Sequence, residues 1–167
     1  MGLEEAAVLV LLSPEGHVLL ERKSCSQDSP WACDVALPGG HIRPGEDSIA
    51  AALREAWEEA WVNPAYVRVL CLGPLHATSR GSVIVRPVVA VTRGPLCVRP
   101  NSSEVDAVFW TPLEAVAGVR PARLLHPRGF EVVGVELERE LVVWGLTLRI
   151  LRWLYSSLAR LVKLGRC

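Results

Sequence analysis

The sequence predicts a mixed α/β (α+β) fold, with strands and helices around one core. Two observations predict it: several short Val- and Leu-rich runs are bounded by Gly, Pro or Asn, and two longer stretches carry apolar residues at helical spacing. A third concerns extent, because the 167 residues contain no Ser/Gly-rich linker, low-complexity run or internal repeat. We therefore expect a single domain over residues 1–167.

A β-hairpin is predicted to open the fold. Glu5–Leu12 and His17–Arg22 are apolar runs, and the Ser-Pro-Glu-Gly segment between them carries turn residues. Further strands are predicted from Val-rich runs at Tyr66–Leu72, Ser82–Val91 and Val105–Trp110.

An amphipathic helix is predicted after this hairpin. It begins near Asp47 or Ser48, either of which can cap its N-terminus. Apolar residues at i, i+3, i+4 and i+7 spacing face the core, and three glutamates form a strip that faces outward. The apolar residues are Ile49, Ala52, Leu53, Ala56 and Ala60, and the glutamates are Glu55, Glu58 and Glu59.

The acidic strip predicts a metal site. Its carboxylates fall within roughly 100° of one another on the helix, so they repel each other unless something offsets the repulsion. A hard cation such as Mg²⁺ does so, since it prefers oxygen ligands and is usually shared with substrate phosphates. The alternative is a solvated acidic face. Pro38-Gly39-Gly40 favours the metal site, because a tight turn of glycines lets the backbone approach a ligand.

The glycines and the acidic helix together resemble the signature of the Nudix hydrolase family. That box reads Gly, five residues, Glu, seven residues, Arg-Glu, an aliphatic residue, any residue, Glu-Glu, any residue, Gly and an aliphatic residue. Residues 40–62 fit it, except that Trp61 replaces the second glycine. Because that glycine ends the helix in a left-handed conformation, the exit loop is expected to differ here. The matching residues are Gly40, Glu46, Arg54, Glu55, Ala56, Glu58, Glu59 and Val62.

The resemblance implies a Nudix-type α/β/α sandwich, in which helices flank a mixed β-sheet. It also implies that Glu58 and Glu59 are the main ligands of Mg²⁺ (or Mn²⁺). Glu55 would be a third ligand or the base that orients water, and the Gly40 carbonyl a further ligand.

The implied reaction is attack of water on a phosphorus of a diphosphate that is linked to another group. Arg54 would bridge Glu46 and Glu55 and hold the carboxylates in register. The alternative for the Arg54–Glu46 pair is an ordinary surface ion pair. No Gly-x-Ser-x-Gly elbow or other nucleophile motif competes with this chemistry.

Segments outside the box resemble the coenzyme A diphosphatase branch of the family. They read Leu-Leu-Glu-Arg-Lys-Ser at 19–24 and Trp-Gly-Leu-Thr-Leu-Arg-Ile-Leu at 144–151. That branch has Gly-Gln-x-Ser-Phe before Pro-Gly-Gly, whereas this chain has Ala-Cys-Asp-Val-Ala-Leu at 32–37. The resemblance of the two segments at 19–24 and 144–151 nevertheless makes coenzyme A the first substrate expected. The alternatives are nucleotide sugars, ADP-ribose or nucleoside triphosphates, or a regulatory module that binds a nucleotide without turnover.

Several further residues are candidates for the site. Arg22 and Lys23 are expected to bind a phosphate, and Gly39 and His41 to touch the substrate, with solvated or structural roles as the alternatives. The segment Trp-Thr-Pro-Leu-Glu at 110–114 resembles the start of a short helix after a late strand. The resemblance also implies that Glu104 and Asp106 lie where many family members place an extra carboxylate that binds metal or acts as base.

The stretch of about 141–163 predicts a C-terminal amphipathic helix. Its arginines Arg149, Arg152 and Arg160 argue against a membrane span, so we expect a buried helix or one that forms a symmetric homodimer. The N-terminus lacks the layout of a secretion signal, which predicts a cytoplasmic protein.

The composition of the chain limits the kinds of molecule that it is expected to bind. Lys+Arg and Asp+Glu both number 18 and no basic run occurs, so a small anionic diphosphate substrate is favoured over a nucleic-acid polymer. The cysteines at 25, 33, 71, 97 and 167 form no Cys-x-x-Cys pair, which argues against zinc. A disulfide, for instance between Cys25 and Cys33, stays open.

Overall fold

A computed structural model describes residues 4–163 except 27, 80, 95 and 139. The described residues form eleven β-strands, three α-helices and a 3-10 turn at Pro64–Tyr66. The helices are α1 (Ser48–Ala60), α2 (Leu113–Ala117) and α3 (Gly145–Lys163). The strands are β1 (Glu4–Leu12), β2 (His17–Lys23), β3 (Val35–Ala36), β4 (Gly39–His41), β5 (Val67–Leu72), β6 (His76–Ala77), β7 (Val83–Thr92), β8 (Val105–Pro112), β9 (Ala122–Leu125), β10 (Glu131–Glu136) and β11 (Val142–Trp144).

Eight of the strands form one mixed sheet. Its order is β3-β2-β1-β7-β5, while β4 also pairs with β1, β6 with β7 and β8 with β2. Strands β1 and β7 pair in parallel from Glu4 opposite Val83 to Leu12 opposite Val91, and the other pairs are antiparallel. The remaining strands form a second, antiparallel sheet in the order β11-β10-β9. This second sheet was not predicted.

The core lies on both faces of the large sheet. Because side chains alternate along a strand, Leu9 and Leu11 of β1 join a cluster with Ala52 and Ala56 of α1. Their neighbour Val10 joins a second cluster, in which the sheet packs against α2 and α3. Helices therefore flank a mixed sheet on both sides, which confirms the predicted α/β/α sandwich.

Most predicted elements are present. The opening hairpin, the strands near 67–72, 83–92 and 105–112 and the short helix after them are all confirmed. Asp47 is the helix cap, since its carboxylate accepts a hydrogen bond from the Ala50 N–H at 2.8 Å. The C-terminal helix begins at Gly145 and not at 141, because residues 142–144 pair with β10 as strand β11.

The prediction of a tight turn at Pro38-Gly39-Gly40 is wrong. Gly39 and Gly40 belong to β4 and pair with Val8 and Ala7 of β1. A β-carbon on Gly39 would lie 2.4 Å from the Ala7 carbonyl oxygen and 2.7 Å from the Val8 Cα. Glycine is thus needed at this position for the close approach of two strands and not for a turn.

The expected change in the exit from α1 is also wrong. Trp61 itself adopts the left-handed conformation, with φ 59° and ψ 31°, and its N–H donates to the Trp57 carbonyl at 3.2 Å. The two indole rings stack with centroids 4.5 Å apart, and the Arg99 guanidinium carbon lies 4.5 Å from the centre of the Trp61 ring. The loop keeps the backbone that a glycine would give it.

Helix α3 packs on the sheet through Leu148, Ile150, Leu151 and Leu154. None of the helices in the described ranges is long and apolar enough to cross a membrane. The homodimer and the cytoplasmic location stay predictions.

Candidate active site

A cavity of about 1240 Å³ opens beside helix α1. Its wall includes the β4 glycines, two glutamates of α1, the loop between β2 and β3, and the first turns of α3. Residues that lie far apart in the sequence thus meet in one place.

Arg54 organises the acidic strip at one side of this cavity. Its Nε and Nη2 donate to the two Glu46 oxygens at 2.6 and 3.1 Å, and its Nη1 donates to Glu55 Oε1 at 2.7 Å and Glu58 Oε2 at 3.2 Å. Nη2 also donates to the His41 carbonyl at 3.1 Å. The bridge between Glu46 and Glu55 is therefore present, and it belongs to a network rather than to an isolated surface pair.

The charged groups of this network shift one another's pKa values. Hydrogen bonds from Arg54, and then from the Arg43 N–H, lower the pKa of Glu46 to about 2. Bonding to Glu46 and Glu55 in turn raises the pKa of Arg54 above its ordinary value. Glu46 is therefore ionised and Arg54 charged at neutral pH.

Glu59 is buried, so the outward-facing strip predicted for all three glutamates is wrong at this position. The Glu59 side chain is 8% exposed, against 43% for Glu58. Lys23 Nζ lies 2.8 Å from Glu59 Oε1 and 2.5 Å from Glu21 Oε1. The Gly39 N–H donates to Glu59 Oε2 at 3.2 Å.

This buried group holds two carboxylates for one ammonium. Burial, and then the neighbouring Glu21, raise the pKa of Glu59 to about 8, although Lys23 opposes the shift. Burial lowers the pKa of Lys23, but the two carboxylates outweigh it and raise that pKa above its ordinary value. Glu21 is fully buried, and neither of its oxygens makes a well-oriented hydrogen bond within the described residues. Sequence reasoning missed its position beside Glu59.

The oxygen ligands predicted for a divalent metal fit such an ion in their chemistry. A β-carbon on Gly40 would lie 2.6 Å from Glu55 Oε1, so only glycine leaves room between this backbone and that carboxylate. Carboxylate and carbonyl oxygens are the donors that hard cations prefer. In the described part of the chain, no three His, Cys, Asp or Glu side chains converge as a ready metal cluster. Arg54 and Lys23 form ion pairs with these carboxylates instead, so a bound metal ion would replace some of those ion pairs.

The other predicted binding residues divide into two groups. Arg22 lies outside the cavity wall and pairs with Asp106 at 3.4 Å, and Asp106 also accepts from the Cys25 N–H at 3.3 Å. The residues that do line the cavity are Lys23, Gly39, His41 and Glu104.

A second polar cluster, which the sequence did not predict, reaches the cavity wall through Asp34 and Trp144. Asp34 Oδ1 lies 2.8 Å from His126 Nε2 and accepts from Trp144 Nε1 at 3.2 Å. The other ring nitrogen of His126 accepts from the Arg128 N–H at 3.1 Å. Nε2 therefore carries the proton and donates to Asp34. Burial raises the pKa of Asp34, against the effect of these hydrogen bonds.

A disulfide closes the loop beside this cluster. Cys25 and Cys33 are bonded with an S–S distance of 2.01 Å, so the pairing left open by the sequence is present. Cys71 and Cys97 are free and exposed. Cys167 lies outside the described residues.

Comparison with known proteins shows what the chain resembles. Residues 2–132 match the NUDIX domain family. The sequence is 35% identical over 156 residues to the Nudix hydrolase NudL of Photorhabdus laumondii, covering 89% of this chain and 82% of that protein. The fold is similar to the M. smegmatis Nudix hydrolase RenU, with a TM-score of 0.57 and 28% identity over 71% of this chain and 76% of that one. It is also similar to a C. elegans Ap4A hydrolase, with a TM-score of 0.55 and 27% identity over 65% and 80% of the two chains.

Proposed function

The chain belongs to the Nudix hydrolase family, and from that premise we propose that this pyrophosphohydrolase uses a divalent metal to cleave the diphosphate linkage of a nucleoside diphosphate derivative. The observation that carries the proposal is the network in which Arg54 holds Glu46, Glu55 and Glu58 beside Gly40, at the wall of the large cavity.

Each residue of the network has a role in the proposal. Glu55, Glu58, Glu59 and the Gly40 carbonyl would hold Mg²⁺ or Mn²⁺. When bound, such an ion supplies Lewis-acid charge stabilisation and activates water for attack on phosphorus. Arg54 fixes the carboxylates in register without entering the reaction.

Two other residues keep this site in place. Glu46 fixes the plane of the Arg54 guanidinium through two parallel hydrogen bonds. Lys23 balances the buried charge of Glu59 and Glu21, and a bound metal ion would compete with it for Glu59.

The cavity supports a substrate with a sizeable group on each side of the diphosphate. Its volume of about 1240 Å³ exceeds the about 300–1,000 Å³ of common ligand pockets. Coenzyme A or a related metabolite is the first candidate, since part of the 144–151 segment that resembles the coenzyme A branch lines this cavity. The likeness to the C. elegans Ap4A hydrolase supports dinucleoside polyphosphates as a second candidate. ADP-ribose and nucleotide sugars fit the same chemistry.

The proposal is tested by incubating the protein with Mg²⁺ or Mn²⁺ and a panel of diphosphates that includes coenzyme A, ADP-ribose and diadenosine tetraphosphate. Glu58→Gln and Glu59→Gln are each expected to lower kcat/KM by about 100-fold or more, because each removes charge from the metal site. Glu131→Gln removes an exposed carboxylate from β10 and serves as the matched control. Near-normal turnover in both α1 variants would contradict the assignment. Binding without turnover on any compound would indicate a regulatory module instead.

A further inference from the structure

We propose that Asp34 reads the base of the substrate by accepting a hydrogen bond from an amino group of a nucleobase that stacks on Trp31. The inference rests on the proposed function, because it concerns the same cavity. It names what the cavity selects in the substrate besides the diphosphate.

The Asp34 carboxylate is held as a binding group would be. Both of its hydrogen bonds, from His126 and Trp144, end on Oδ1, and no hydrogen bond to Oδ2 occurs among the described residues. The His126 side chain is fully buried, whereas the Asp34 side chain is 14% exposed and lines the cavity. Oδ1 is therefore the anchored oxygen, and Oδ2 is the one available to a ligand.

The backbone around Asp34 is fixed from two sides. Its N–H donates to the Trp31 carbonyl at 3.0 Å, and its carbonyl accepts from the Lys23 N–H at 2.8 Å. Arg128 Nη1 donates to the Pro30 carbonyl at 2.9 Å, which ties the same loop to the β9–β10 hairpin. A site built on so constrained a loop loses little entropy when a ligand binds.

Trp31 supplies the second half of the recognition. Trp31 is 52% exposed, which is a large fraction for a tryptophan, and it lines the same cavity as Asp34. A base that stacks on an indole presents its edge sideways, and stacking by itself tolerates every base. Because Trp31 and Asp34 lie in one turn, the carboxylate is placed to discriminate among the edges.

The chemistry of a carboxylate predicts which edge it selects. An ionised carboxylate only accepts hydrogen bonds, so it favours the amino group of adenine or cytosine. The keto oxygen of hypoxanthine or uracil would face a second acceptor and be repelled. We therefore expect the site to prefer amino-bearing bases.

The test compares ADP-ribose with IDP-ribose, and NAD⁺ with its hypoxanthine analogue, in the wild type and in Asp34→Asn. Asparagine keeps an oxygen for His126 and Trp144 and places an amino group where Oδ2 lies, so the anchor survives and the acceptor becomes a donor. We expect KM for the adenine compounds to rise about 10- to 100-fold, and the preference for adenine over hypoxanthine to vanish or reverse. The change in kcat should be much smaller.

Two further variants separate recognition of the base edge by Asp34 from stacking on Trp31 and from a general effect of removing a carboxylate. Trp31→Ala should raise KM for adenine and hypoxanthine compounds alike and leave their ratio unchanged. Glu131→Gln alters an exposed carboxylate of β10 outside this cavity and should change neither value. Melting temperatures of all three variants check that the fold is intact.

Binding of the same compounds without metal, measured by calorimetry in EDTA, separates failure of this inference from failure of the proposed function. Turnover by the wild type with an adenine-to-hypoxanthine ratio that Asp34→Asn does not change would overturn the inference alone. Base-selective binding that Asp34→Asn abolishes, without turnover of these compounds, of coenzyme A or of diadenosine tetraphosphate, would support the inference and overturn the proposed hydrolase activity. Neither binding nor turnover of any of the four compounds would overturn the inference, and the proposed function would fall with it only if coenzyme A and diadenosine tetraphosphate were not cleaved either.

Discussion

Trp61 ends helix α1 in a backbone conformation that glycine adopts at lower cost. A left-handed residue that carries a β-carbon costs about 1–2 kcal/mol. Here the indole stacks on Trp57, and Arg99 lies over its ring, contacts that a glycine would not make. The aromatic contacts therefore offset backbone strain at this one residue.

This balance predicts an order of stabilities. Trp61→Ala should be less stable than Trp61→Gly by about 1 kcal/mol, because both variants lose the stack and only alanine keeps the strain. Urea unfolding measures the difference. Trp57→Ala, which removes the stack without touching the left-handed residue, is the control. Equal midpoints for the alanine and glycine variants would contradict the explanation.

The loop between β2 and β3 contributes Ser26, Asp28, Ser29, Trp31 and Asp34 to the cavity wall. We expect the double variant Cys25→Ser/Cys33→Ser to lose about 2–3 kcal/mol of unfolding free energy, since the disulfide closes a short loop in the unfolded chain. Guanidinium unfolding of the oxidised wild type and the double variant measures this loss. Cys71→Ser, which removes a free exposed thiol, is the matched control. An unchanged midpoint in the double variant would show that the bond does not constrain the loop.

The two halves of the site differ in how well the sequence predicts them. Gly40, Glu55, Glu58 and Glu59 were recognisable because they lie on one strand and the helix that follows it, where spacing along the chain fixes position in space. The pairing of Asp34 with His126 and Trp144 joins residues 92 and 110 positions apart. No local pattern marks such a contact, since only the tertiary packing of the small sheet against the loop creates it.

The fold divides in the same way. Strands β1, β2, β7 and β8 were predicted from continuous apolar runs, because the sheet is buried on both faces. The β9–β10 hairpin was missed because it leaves Leu125 and Val133 exposed at 68% and 61%, so its apolar residues follow no inward-facing alternation. Strand β11 was absorbed into the helix prediction because its apolar residues continue directly into the periodic pattern of α3.

At the scale of the whole molecule, the Arg54 network predicts how stability depends on pH. The pKa of Glu46 falls from 4.5 to about 2 on folding, so its stabilising effect is complete above pH 4.5 and is lost as the pH falls towards 2. The melting temperature of the wild type should drop over that window. In Glu46→Gln the drop should be shallower, whereas Glu131→Gln should follow the wild type. Parallel curves for wild type and Glu46→Gln would exclude Glu46 as the source.

The parallel pairing of β1 with β7 has a consequence for how the chain reaches this structure. Glu4 faces Val83, so the hairpin, helix α1 and strand β5 must all be synthesised before the two central strands can meet. Until then the apolar side chains of β1 have no partner on that side. We expect closure of this long segment, rather than formation of the helices, to set the pace of folding, and nascent chains that end before β7 to need protection from aggregation.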